Sequence, residues 1–240
     1  MAGEAERAQD RRRSLLRTAE ELFAAQGYGE GWFRGVRERG GFSEEAFLRE
    51  FPSPEDLMET LVDAMLEEAL EAQSGVLEDP SLDAAEKLRR LFRGLAAWKL
   101  RRRAFFRNLT LAAYREENLL LLQRLMGVME KRMVPLTGEL FRQGAREGVF
   151  SLSDPEEAAE QILWMLRGLG PRVATVLESP SLAGAEEVVR KFSAISRSME
   201  RILGVPEGAL GLGALFRETL HAWFDILTGS EAGRADPGAL

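Results

Sequence analysis

Six arginines in the first 52 residues could meet a polyanion: Arg11, Arg12 and Arg13, then Arg34, Arg37 and Arg49. A guanidinium can neutralise a phosphate or fork onto a base edge. The residues between the last two arginines include Ser43, Glu44 and Glu45, whose oxygens accept hydrogen bonds. In a DNA major groove, the donor such a carboxylate would meet is a cytosine amino group. The same 52 residues hold nine Arg against ten Asp or Glu. Affinity for a nucleic acid would therefore depend on where the arginines stand, because bulk charge does not favour it.

The spacing around these residues predicts the scaffold that would carry them. Leu15, Leu16, Ala19, Leu22 and Phe23 recur at helical intervals, and Gly27-Tyr28 closes that helix. A short helix over Phe33 to Arg39, the turn Gly40-Gly41-Phe42-Ser43 and a second short helix ending near Phe51 follow. Two short helices joined by a glycine-containing turn form a helix-turn-helix, which offers its second helix to the major groove.

At these positions the chain resembles the TetR (tetracycline-repressor) family of bacterial transcriptional regulators. The matching residues are Leu22-Phe23, Gly27-Tyr28, Val36, Gly41-Phe42-Ser43, Phe51, Ser53, Glu55 and Leu57, and the resemblance they carry covers about a quarter of the chain. The resemblance implies an N-terminal reading head, a larger helical domain for ligand binding and dimerisation, and a helix from residue 54 that links ligand to head. Several phosphate-binding positions depart from the pattern. Glu44 stands where a small or basic residue is usual, Leu48 where Tyr is, and Pro54 where Lys is. Three readings of the head follow: a reader with unusual contacts, a helix-turn-helix kept for packing alone, or arginines engaged in solvated pairs such as Arg17 with Glu21.

Helical periodicity continues through the rest of the chain, and no stretch of β-branched alternation is long enough for a sheet, so the fold class is all-α. The expected helices span 5–26, 31–39, 43–50, 54–73, 83–101, 104–115, 118–147, 155–177, 184–203 and 211–228. Ser53-Pro54-Glu55-Asp56 and Asp154-Pro155-Glu156-Glu157 are helix starts, each with a capping side chain, Pro at the first position and carboxylates toward the helix dipole. Pro135 is expected to kink or split its helix, and Gly168 with Gly170-Pro171 to bend the next. Gly144 and Gly148 mark a fraying end. The domains expected are 1–52, a helix-turn-helix DNA-binding domain, and 53–228, a ligand-binding and dimerisation domain. The tail 229–240 is expected to be disordered.

Within the larger domain, Trp98, Phe105, Phe106, Tyr114, Met126, Met129, Met133, Trp164 and Met165 combine aromatic bulk with adaptable thioethers and few polar neighbours. Ordinary core is one reading of each. The other is an apolar small-molecule pocket, which the resemblance places on these helices. The run Lys99-Leu100-Arg101-Arg102-Arg103 either receives an acidic ligand group or answers a helix C-terminal dipole. Val188, Phe192, Ile195 and Met199 step by fours and threes, a stripe that wants a partner helix. Together with Trp164, Leu220, Trp223 and Phe224 they form the expected twofold seam of a homodimer. His221, the single histidine, is expected to be an interface or core residue.

Composition removes other functions. The chain has no cysteine, which excludes disulfides, thiolate metal sites and cysteine nucleophiles. It carries no Gly-rich phosphate loop, metal-spaced cluster or nucleophile elbow, so neither an enzyme nor a cofactor is expected. The charged N-terminus lacks the apolar segment of a signal peptide and no run is long enough to span a bilayer, from which a cytoplasmic location without a membrane partner is expected. The function expected is that of a ligand-responsive transcriptional regulator, most simply a repressor, binding operator DNA as a homodimer. The alternative is a dimeric, TetR-like ligand-binding protein whose head does not engage DNA.

Overall fold

The structure, a computed structural model, describes the backbone of residues 2–228 and the side chains of residues 10–223. The tail expected to be disordered lies outside the described residues, as does the side chain of Phe224. Every regular element among the described residues is helical. The chain divides into two compact units. One takes the residues up to Ala72 together with Arg102–Arg132; the other takes Gln73–Arg101 and the chain from Met133 onward.

The first unit opens with α1 (Ala2–Gln26), α2 (Glu30–Gly40), α3 (Glu44–Glu50) and α4 (Pro54–Glu71). Each boundary has a local cause. Gly41 takes the left-handed conformation (φ 68°) that closes α2, and Phe42 N–H returns to the Arg37 carbonyl at 3.2 Å. The Ser43 hydroxyl accepts from Ala46 N–H and starts α3. Ser53 caps α4 in the same way, with Pro54 in its first turn. Two further pieces complete this unit: α7 (Arg103–Ala113) and the beginning of α8 (Leu119–Glu147). Buried Leu15, Ala19, Leu22 and Phe23 of α1, with Leu57, Met58 and Leu61 of α4, supply much of its core.

The second unit contains α5 (Ser74–Leu77), α6 (Ala84–Arg101), the remainder of α8, α9 (Pro155–Arg167), α10 (Gly170–Glu178), α11 (Leu182–Ile202) and α12 (Leu212–Thr228). One apolar cluster runs through it, from Ala84 and Leu88 through Phe141, Phe150 and Ile162 to Phe192, Met199 and Leu203. Phe192 stacks on Phe216 with ring centroids 3.9 Å apart, joining α11 to α12. A buried carboxylate, Glu200, accepts from Gly208 N–H at 2.9 Å and Leu210 N–H at 3.1 Å, and so pins the loop before α12.

Three expectations about helix ends change. Pro135 neither splits nor ends α8, which is helical from Leu119 to Glu147. The missing N–H costs one intrahelical bond, and the helix carries on through packing on both sides of it. The segment 155–177 is broken rather than bent: α9 stops at Arg167 and α10 starts at Gly170. Gly144 lies inside α8, where a Cβ would run into the Phe150 ring. It is therefore a packing glycine, and the chain turns at Gly148 (φ 72°).

Candidate nucleic-acid interface

The three-helix head is built on aromatic contacts. Phe47, the inward residue of α3, lies 4.9 Å from Phe33, 6.2 Å from Phe42 and 5.5 Å from Phe51, measured between ring centroids. Trp32 meets Phe23 edge-on at 5.4 Å and donates its indole N–H to the Ala19 carbonyl at 3.0 Å, tying α2 to α1. Gly35 faces Leu22 with room for a Cβ at ordinary contact distance, so close packing of α2 on α1 does not require a glycine there. With Phe47 and Phe51 buried, Glu44, Glu45, Ala46, Leu48, Arg49 and Glu50 are all exposed. An α-helix turns about 100° per residue, so Glu45 and Arg49 point furthest from Phe47 and centre the outward face of α3.

That face is electrically compensated. Arg49 Nη2 donates to Glu45 Oε1 at 2.9 Å along α3. Arg37 Nη1, from α2, donates to Glu44 Oε2 at 2.8 Å. Arg12, from α1, comes within 3.8 Å of Glu50. Arg13 reaches Asp10 at 3.5 Å. Arg11 and Arg34 are exposed and form no ion pair among the described residues. Arg17 does not pair with Glu21 among the described residues, contrary to the i,i+4 expectation. Ser43 is spoken for as the α3 cap. The structure thus brings Arg12, Arg37, Arg49, Glu44 and Glu45 to one helix and its margins.

The head is fixed to the rest of its unit by groups that carry no motif signal. The Tyr28 hydroxyl donates to Glu55 Oε1 at 2.7 Å. Burial, and then this bond to a carboxylate, push the phenol above its ordinary range. Asn108 of α7 donates to the Phe23 and Ala24 carbonyls, both at 3.1 Å, and caps the end of α1. Arg102 bridges Glu20 of α1 at 3.0 Å and Glu68 of α4 at 2.9 Å. Two arginines of α8 grip α4: Arg124 holds Asp56 and Glu59, and Arg132 holds Asp63 and Glu67. Bonds from Ser53 and Arg124 hold the Asp56 carboxyl below its usual range. The bond from Arg132 does the same for Asp63. The spacing 56, 59, 63, 67 on α4 and 124, 132 on α8 marks one face of each helix. Only the fold shows that the two faces meet.

The residues expected to bind a ligand fall in both units. Phe105, Phe106, Tyr114, Met126 and Met129 lie in the first, and Trp98, Met133, Trp164 and Met165 in the second. Phe105 is core: it is buried between Phe23 at 4.9 Å and Phe106 at 5.4 Å. Met165 packs against the apolar cluster of its unit, and Trp98 is buried. Phe106, Tyr114, Met126, Met129 and Met133 are half-buried. In the basic run, Lys99 and Arg101 stand in the last turn of α6, where a cation faces the helix dipole favourably.

The expected seam residues need correction. Val188, Phe192 and Met199 are buried within their own unit, because the cluster that includes α6, α9 and α12 fills their side of α11. Ile195 packs against the same cluster. These positions are core, and their stripe is satisfied by the chain itself. Leu220 and Trp223 are half-buried. Trp164 is 51% exposed, with the Arg167 guanidinium 4.7 Å from its ring centroid. His221 is exposed and so is not a core residue.

No helix among the described residues is long and apolar enough to cross a membrane, and no group of acidic or histidine side chains among them is placed to hold a metal ion. No family model matches the sequence, and no curated protein matches it. Solved structures do. The chain is similar to RolR in complex with resorcinol, with a TM-score of 0.61 and 19% identity over 88% of this chain and 96% of that one. It is similar to Thermus thermophilus FadR, a TetR-family transcriptional repressor in complex with lauroyl-CoA, with a TM-score of 0.58 and 19% identity over 79% and 94% of the two chains. A Mesorhizobium loti protein described as a TetR-family regulator gives a TM-score of 0.52 and 16% identity over 92% and 98%. The fold is that of TetR-family regulators: all-α, with an N-terminal helix-turn-helix.

Proposed function

We propose that this protein is a ligand-responsive transcriptional regulator, a repressor in the simplest case, that binds operator DNA as a homodimer through α3. The observation that carries this reading is the head itself. A capped α3 stands on an aromatic core, turns its whole outward face to solvent, and is flanked by Arg12 and Arg37. Two such heads in a dimer would meet half-sites about one helical turn, roughly 34 Å, apart. Trp164, Leu220 and Trp223 are the seam residues that remain available to a partner.

An apolar effector is in keeping with the half-buried Phe106, Tyr114, Met126 and Met129, and similar folds accommodate an aromatic diol and an acyl-coenzyme A. Effector binding is expected to shift the dimer between head separations that fit or miss the half-sites.

One observation favours the alternative, a ligand-binding protein whose head is silent. Arg37, Arg49 and Arg12 already hold carboxylates. Selection of genomic fragments, followed by gel shift at 50 and 200 mM salt, separates the two. A reader retains specific fragments and loses affinity steeply with salt, by about 10³ or more if six phosphates are engaged. Absence of retention at low salt would establish the alternative.

A further inference from the structure

We infer that Glu44, Glu45 and Glu50 set the sequence discrimination of this head, by holding Arg37, Arg49 and Arg12 from phosphate except where base contacts form as well. The inference rests on the reading of α3 as a DNA reader, and it goes beyond that reading by assigning the acidic residues their role. Three carboxylates on a seven-residue helix each meet a guanidinium, and the three arginines come from three different helices, α1, α2 and α3. The Glu45–Arg49 pair sits at the centre of the outward face. Arg37 is the most covered of the arginines, at 24% side-chain exposure against 72% for Glu44.

The energies favour a gate over a lock. An exposed ion pair is weak because solvent screens both charges, so a phosphate can take the arginine away. The released carboxylate then remains on the same face, close to a polyanion, where like charge repels it. On an arbitrary duplex the gain and the penalty nearly cancel. At a matching half-site the freed carboxylate accepts from a cytosine amino group, and the repulsion is replaced by a hydrogen bond. Leu48, 42% exposed beside the central pair, offers an apolar contact to a thymine methyl. The operator chemistry this selects is cytosine amino groups and thymine methyls presented to α3. Discrimination then arises mainly from weak binding to everything else.

The test is the full-length variant Glu44→Gln/Glu45→Gln/Glu50→Gln beside the unmodified protein. Affinity is read by fluorescence anisotropy at 50 and 200 mM salt, on a random 30-base-pair duplex and on the fragment selected from the genome. A control triple, Glu178→Gln/Glu186→Gln/Glu218→Gln, removes the same charge from exposed positions of the other unit. The α3 triple should tighten random-duplex binding at least tenfold and steepen its salt dependence by roughly two to three in log–log slope, about 0.9 per phosphate gained. The selected fragment should gain less, so the specificity ratio falls, and the control should stay within twofold of the unmodified protein. Glu50→Gln alone, which leaves the start of α3 untouched, should show about a third of the slope change. Unchanged random-duplex affinity and slope in a protein that still retains its selected fragment overturns the inference and leaves the DNA reading standing. So does a control triple that tightens equally. If no version retains any duplex at 50 mM salt, the reading and the inference fall together.

Discussion

Arg132 holds Asp63 in a two-pronged grip: Nε donates to Oδ1 at 2.7 Å and Nη2 to Oδ2 at 2.9 Å, joining α8 to α4 across 69 residues of chain. Both side chains are about three-quarters covered. Planar guanidinium and carboxylate match atom for atom here, so the pair fixes orientation as well as distance. With Arg124 on Asp56 two turns earlier, it holds α4 at two levels.

This grip has a pH signature. The bond from Arg132 lowers the Asp63 carboxyl, and bonds from Ser53 and Arg124 lower that of Asp56. A depressed carboxyl stabilises the folded state above the unfolded value of about 3.9, and that stabilisation is lost as pH falls through the folded value. Thermal melts should therefore be flat with respect to these two groups near neutrality and fall on acidification below pH 5. Asp63→Asn should be less stable at pH 7, by about 1–2 kcal/mol, with a shallower acid limb. An acid limb identical to that of the unmodified protein would remove Asp63 from this account.

The head should be fragile at Phe47. That ring is 1% exposed among three other phenylalanines, and Phe47→Ala removes the inward side of α3. A cost of about 3–5 kcal/mol is expected by denaturant titration, with loss of any DNA retention. Phe47→Leu, which keeps a large apolar side chain at the site, should recover part of both.

Ser43→Ala tests the cap. Loss of the hydroxyl that accepts from Ala46 N–H should cost about 1 kcal/mol. Because α3 has only seven residues, hydrogen exchange should accelerate there first. Equal exchange in both proteins would mean that α3 is held by Phe47 alone.

Glu200 tests the second unit. It is buried, and each of its oxygens meets a backbone N–H of the loop before α12. Glu200→Ala leaves two donors unsatisfied and should cost about 2–4 kcal/mol, while Glu200→Gln, whose amide nitrogen cannot accept, should cost roughly half as much. Melting temperature read beside near-ultraviolet circular dichroism distinguishes local from global loss. No change in either variant would mean that water replaces the carboxylate.

Pro135→Ala should stabilise the protein, by at most about 3 kcal/mol, since it restores an N–H within an unbroken helix. A lower melting temperature would show that the proline is matched to a bend.

Most of the helices could be read from periodicity and end signals, because these are local: Gly41 closing α2, and Ser43, Ser53 and Asp154 each opening a helix. The head could be read for the same reason, since its parts follow one another within 52 residues. Longer-range packing could not. The stripe Val188, Phe192, Met199 has the spacing of a seam, and spacing alone does not say whether its partner helix belongs to the same chain or to another copy. The fold answers from within, with Phe216 stacked on Phe192. The arginines of the head were visible as cations, but pairing Arg37 with Glu44 and Arg12 with Glu50 needed α2 and α1 to be set against α3. Sequence by itself determined the helices, the turn between α2 and α3 and the residue types on the outward face, because covalent neighbours fix caps and periodicity. Tertiary structure alone decided which charges are answered and which apolar stripes are filled, because those depend on atoms dozens of residues apart being brought within a few ångströms.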